Sequence, residues 1–115
     1  KIFVDYTGQT IPVVDPKTGE IRQAEVFVAA LGASNYTYAE AQWHQDLPNW
    51  IGGHVRVYNF IGGVPEVVVP DNLKAGVNHP SRYDPDINPT YQEMADYYGV
   101  AVVPARVRKP RPELK

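Results

Sequence analysis

Pro65-Glu66-Val67-Val68-Val69-Pro70-Asp71 is the stretch whose reading decides the fold. An apolar run this short, bounded by prolines and without polar alternation, reads as a strand buried on both faces. The segments around it say how the chain reaches it. Upstream, Leu47, Trp50, Ile51, His54, Val55, Tyr58 and Ile61 recur at three- and four-residue spacing, with Asp46 as N-cap and Gly62-Gly63 as stop, which predicts an amphipathic helix. Further upstream, Lys1 to Val14 is rich in β-branched and aromatic residues and ends at the turn Asp15-Pro16-Lys17-Thr18-Gly19. Ile21 to Leu31 resumes the apolar content, and Tyr36 to Trp43 follows after Gly32-Ala33-Ser34-Asn35. Three successive antiparallel strands are expected, with one face buried against helices and the other partly wet.

Downstream, Asn88-Pro89 supplies an N-cap and a first-turn proline, Tyr91, Met94, Ala95 and Tyr98 share one side, and Gly99 ends a second helix. Val100 to Val103 is the last short strand. The order is therefore β-β-β-α-β-α-β, an α/β chain in which the last two strands are joined through a helix and run parallel. Between Asn72 and Asn88 lies a polar loop longer than packing requires, the kind that often carries function.

At 115 residues, 43% hydrophobic and 21% charged, residues 1–115 are expected to form one globular domain. The chain opens on Lys1 rather than Met and stops in a basic Pro-containing stretch, so both ends are expected to be boundaries within a longer protein. There is no cysteine, hence no disulfide framework or thiolate metal site. With no apolar leader-like segment in these residues, a cytoplasmic location away from membranes is the expectation. The net charge of -2 does not by itself suggest nucleic acid. Its distribution is uneven: Arg106, Arg108, Lys109, Arg111 and Lys115 put five of the eleven Lys and Arg residues in the last ten positions, beside an acidic body, a run that by itself reads as a solvated terminus.

Asp5 stands inside an otherwise apolar β run, where a buried unpaired carboxylate is costly. Asp71 stands where the buried strand gives way to a loop, and ligands bind at the carboxyl ends of parallel strands. If strands one and four are neighbours, the two carboxylates converge. Carboxylate oxygens suit Mg²⁺ or Mn²⁺, and paired ions suit in-line phosphoryl displacement. On spacing alone, the competing account prevails: Asp5 as an edge-strand charge, and Asp71 as a turn or cap residue in Pro-Asp-Asn.

A resemblance tips that balance. Phe3-Val4-Asp5-Tyr6-Thr7-Gly8-Gln9-Thr10, Leu31-Gly32-Ala33-Ser34-Asn35-Tyr36-Thr37-Tyr38-Ala39-Glu40, Gly62-Gly63-Val64-Pro65-Glu66 and Val69-Pro70-Asp71-Asn72-Leu73-Lys74-Ala75-Gly76-Val77 look like the retroviral-integrase-like (DDE) core of bacterial insertion-sequence transposases, most closely the IstA type, encoded beside a helper ATPase. Asn88-Pro89-Thr90-Tyr91-Gln92-Glu93-Met94-Ala95 and Pro104-Ala105-Arg106-Val107-Arg108-Lys109-Pro110 extend the similarity over essentially the whole chain. It implies a ribonuclease-H-like fold, a five-stranded mixed sheet with helices packed on it. It also implies a polynucleotidyl transferase that nicks DNA and joins the freed 3'-hydroxyl to target DNA, using two Mg²⁺ or Mn²⁺ ions.

In that family two aspartates and a glutamate hold the ions; Asp5 matches the first and Asp71 the second. The glutamate usually follows the basic Pro-containing stretch on a helix. Glu113 comes too early in that pattern, so the third ligand is expected beyond residue 115 and the chain by itself is expected to be inactive. Lys74 and, more weakly, Asn72 are candidates to meet a phosphate, and Arg106, Arg108, Lys109 and Arg111 to track a DNA backbone. DNA, a helper ATPase and further copies of the full-length protein are the implied partners. Two alternatives stay open: a nuclease of the same fold, and a non-catalytic DNA-binding or assembly module.

His44, His54 and His79 lack ligand-like spacing, and His54, on the apolar stripe of the first helix, reads as a packed histidine. Trp43, Trp50, Tyr58, Tyr91, Tyr97 and Tyr98 read mostly as core or core boundary rather than as base-stacking residues. Asp15, Asp84 and Asp86 sit beside prolines in turn contexts.

Overall fold

The computed structural model describes residues 1–34, 36–70 and 88–105. They form β1 (Ile2–Val14), β2 (Ile21–Leu31), β3 (Thr37–Gln42), α1 (Leu47–Ile61), β4 (Val67–Pro70), α2 (Pro89–Tyr98) and β5 (Ala101–Val102). This is the β-β-β-α-β-α-β order expected from the sequence. The five strands make one mixed sheet in the order β3-β2-β1-β4-β5. β1 pairs antiparallel with β2, and β2 with β3, whereas β4 runs parallel to both β1 and β5.

Alternation along the strands sorts the sheet into two faces. Ile2, Val4, Tyr6, Phe27, Ala29 and Val68 point to one face, and each is buried there beneath α1 and α2 with Trp50, Val57, Tyr58, Tyr91, Ala95 and Val100. On the other face, Phe3 is 43% exposed and Asp5, Val26, Val28 and Ala30 are half-buried. Trp50 sits at the centre of the covered face, its ring centroid 5.5 Å from both Tyr6 and Phe27, 5.9 Å from Tyr91 and 5.0 Å from His54.

Local chemistry sets the helix ends. The Asp46 carboxylate accepts the Asn49 N–H at 3.0 Å at the start of α1, and Gly62 closes it in the left-handed region at φ 76. Asn88 caps α2 by accepting the Thr90 N–H at 2.9 Å, Pro89 opens the first turn where no N–H is needed, and Gly99 closes it at φ 75. One interior glycine is required for packing. A Cβ on Gly53 would stand 2.9 Å from the Phe27 ring and 3.0 Å from Gln42 Nε2, so α1 lies on the sheet at a distance only glycine permits.

Three expectations need correction. β3 stops at Gln42, so Trp43 is outside it; 42% exposed, its ring carries the Arg22 guanidinium at 4.0 Å. Tyr97 is 82% exposed rather than packed, because α2 turns only the side bearing Tyr91 and Ala95 fully inward. The strand read as Val100 to Val103 pairs only over Ala101–Val102, although Val103 N–H still donates to the Val68 carbonyl at 2.9 Å.

Candidate functional site

Asp5 is carried by β1 on the face opposite Val4 and Tyr6, half-buried and in register with Val28 of β2. The strand pattern explains its side: with Ile2, Val4 and Tyr6 committed to the core, the residues between them must face the other way. On the β4 side of β1 the last pair is Val4 with Pro70. The segment after β5 then runs beside the end of β4, the Ala105 N–H donating to the Pro70 carbonyl at 3.0 Å. Val4, Pro70 and Ala105 therefore stand side by side where the parallel part of the sheet ends, while the β1–β2 hairpin continues beyond them. The residues that follow them in sequence are Asp5, Asp71 and Arg106.

Asp71, Asn72 and Lys74, together with Arg106, Arg108, Lys109, Arg111 and Glu113, lie outside the described residues, as do His79, Asp84 and Asp86. Among the described residues no group of three His, Asp or Glu side chains is placed to hold a metal ion. Nor, among them, is any helix long and apolar enough to cross a membrane.

His54 is 1% exposed and has both ring nitrogens engaged, Nδ1 with the Trp50 carbonyl at 2.8 Å and Nε2 with the Tyr91 hydroxyl at 2.9 Å. The carbonyl only accepts, so Nδ1 carries the proton and Nε2 accepts from Tyr91. Burial lowers its pKa to about 4, and the Trp50 hydrogen bond offsets this only in part. It is a neutral core histidine, as its place on the apolar stripe suggested.

A polar network that sequence reasoning missed fixes β1 next to Asp5. The Tyr6 hydroxyl donates to Gln42 Oε1 at 2.6 Å, and Gln42 Nε2 donates to Glu40 Oε2 at 2.6 Å and to the Asn49 carbonyl at 3.0 Å. Glu40 also accepts from the Tyr38 hydroxyl at 2.6 Å and from Arg56 through two nitrogens, at 2.8 and 2.7 Å. Burial would raise the Glu40 pKa, but the donors Arg56, Tyr38 and Gln42 outweigh it and hold the carboxyl at about 2. Burial pushes the Tyr6 hydroxyl up, and the nearby Asp46, Glu40 and Glu25 add to this, so it remains a donor. Every polar atom of the buried Gln42 side chain is thus bonded. The available signal was Glu40 and Gln42 two apart on a strand, hence on one face. Only the register shows that this face looks toward Arg56 and Tyr6.

The fold this geometry defines is that of the retroviral integrase catalytic core, a ribonuclease-H-like fold. The catalytic core domain of HTLV-2 integrase in complex with magnesium superposes with a TM-score of 0.58 over 90% of this chain and 58% of its own, at 12% identity. A simian T-cell lymphotropic virus intasome in complex with a PP2A regulatory subunit gives 0.60 over 94% of this chain and 33% of the matched chain, at 10% identity. In sequence, the chain is 49% identical over all 115 residues to a protein assigned as the transposase for insertion sequence IS1162 of Pseudomonas fluorescens. It is 47% identical over the same length to one assigned as the transposase for IS408 of Burkholderia multivorans. The chain spans only about a fifth of these relatives, 21% and 22% of their lengths. No protein-family model matches it.

Proposed function

We propose that this chain is the catalytic core region of a DNA transposase, acting by phosphoryl transfer to nick DNA and join a freed 3'-hydroxyl to a target. One observation carries the reading: Val4, Pro70 and Ala105 are neighbours at the carboxyl end of the parallel strands of a sheet with the integrase-core fold, and each is followed in sequence by a residue suited to the chemistry. The similarity to assigned insertion-sequence transposases supports it. In this reading Asp5 and Asp71 are catalytic carboxylates that would hold Mg²⁺ or Mn²⁺. A half-buried, hard-oxygen side chain at the end of a parallel strand pair suits that role, and an HTLV-2 integrase core is described with magnesium. Two such ions, when bound, supply charge neutralisation at the phosphate and a more acidic attacking hydroxyl.

In this reading Arg106, Arg108, Lys109 and Arg111 track the DNA backbone and Lys74 meets a phosphate. The motif resemblance extends the reading to the IstA type with its helper ATPase, and the intasome relationship supports action as a multimer on DNA. A third carboxylate is not assigned within these residues, so little strand transfer is expected from the 115-residue chain alone.

The test is strand transfer by the full-length protein in Mg²⁺ or Mn²⁺. Asp5→Asn and Asp71→Asn should each abolish joining while leaving DNA retention on a filter unchanged. Wild-type joining by either variant would overturn the reading. Cleavage without joining, on a substrate offering a free 3'-hydroxyl, would favour the nuclease alternative.

A further inference from the structure

β1 and β2 lose register at one place. Tyr6 pairs with Phe27 and Thr10 with Glu25, so Thr7, Gly8 and Gln9 stand opposite Val26 alone. Two extra residues, unlike one, keep the inward and outward alternation of the strand beyond them. A strand running straight through would keep it too. The hairpin beyond therefore does not need the insertion.

Packing does not need it either. Thr7, Gly8 and Gln9 are all exposed. Gly8 adopts φ 84, in the left-handed region, yet a Cβ there would meet nothing within 4 Å. The bulge is nevertheless held in one shape: the Thr7 hydroxyl accepts the Gln9 N–H at 3.2 Å and donates to the Gln9 carbonyl at 3.1 Å. At its base, Tyr6 is fixed to Gln42 and through it to Glu40 and Arg56. An ordered, solvent-facing insertion that buries nothing begins two residues after Asp5, past the last β1 pairing with β4 at Val4 and Pro70.

We propose that Thr7-Gly8-Gln9 is a positioning rim that contacts the sugar-phosphate backbone of the DNA strand held at Asp5. This rests on the reading of Asp5 as a catalytic carboxylate. With the Thr7 hydroxyl and the Gln9 N–H engaged with each other's residue to hold the bulge, the exposed Gln9 carboxamide is the neutral donor offered to DNA, of the kind that sets register without adding charge. Glycine at the crest allows close backbone approach, and bulges beside active sites re-aim the residues around them.

The experiment uses the full-length protein and a pre-nicked DNA end, with KM and kcat for strand transfer measured separately for end DNA and target DNA. Gln9→Ala, and a second variant lacking Gly8 and Gln9, should raise one of the two KM values by about tenfold, the equivalent of losing one good hydrogen bond to a charged group. Thermal midpoint, kcat within about twofold, and the slope of DNA binding against salt should stay as in the parent, since no charge is removed. Asp5→Asn is run alongside. If Asp5→Asn is inactive while both rim variants keep parental KM values, the rim is overturned and the catalytic reading stands. If Asp5→Asn joins DNA normally, both fall.

Discussion

On the helix-covered face of the sheet Ile2, Val4 and Tyr6 are at most 4% exposed, whereas on the opposite face Phe3 is 43% exposed and Asp5 half-buried. The two faces belong to the same strand, one residue out of phase. The covered face is dense with aromatic contacts, and its polar groups Gln42 and His54 have hydrogen-bond partners on every side-chain nitrogen and oxygen. The other face carries a carboxylate, with Val26, Val28 and Ala30 half-buried, Phe3 exposed and Val69 of β4 buried. Stability is therefore concentrated on one side and the candidate chemistry on the other. Substitutions should separate the two.

The largest effect is expected from Trp50→Ala on the covered face, about 3–5 kcal/mol of unfolding free energy by urea titration, as for large buried aromatics generally. A loss below about 1 kcal/mol would break the contrast. Next is acid sensitivity. Burial holds the His54 pKa at about 4 in the folded chain against about 6.5 unfolded, so the unfolded state binds the extra proton first. That contribution is complete above pH 6.5 and is lost as pH falls toward about 4, amounting to roughly 3 kcal/mol at most. His54→Phe should flatten the stability profile across this window. Glu40, held at about 2, gives a separate loss below about pH 4.5 that His54→Phe should leave in place.

A smaller effect is expected at the glycine pair in α1. Gly53→Ala forces its Cβ into the Phe27 ring and should cost about 1–3 kcal/mol, as overpacking does. Gly52→Ala meets only the Arg56 guanidinium, at 3.1 Å, and its gain in helix propensity of about 0.5–1 kcal/mol should largely offset that contact. Thermal melts of the two variants sharpen the comparison within one turn of helix. Smallest of all, Phe3→Ala and Asp5→Asn on the open face should each shift stability by less than about 1 kcal/mol, in the range of ordinary surface changes. Asp5→Asn should nonetheless remove strand transfer by the full-length protein.

The sequence by itself determined the element order and the helix ends. Caps, prolines and hydrophobic period are local properties, and Asp46, Asn88, Gly62 and Gly99 act on backbone groups within a turn of themselves. It also marked Asp5, through the cost of a carboxylate in an apolar strand, but not what stands beside that residue. Tertiary structure decided that β4 lies next to β1, which brings Val4, Pro70 and Ala105 together from positions far apart in the chain. It also decided that Gln42 bonds Tyr6 from 36 residues away and that three residues of β1 face one of β2. These follow from strand pairing, whose partners and register depend on how whole faces fit together, and no window of neighbouring residues contains that information.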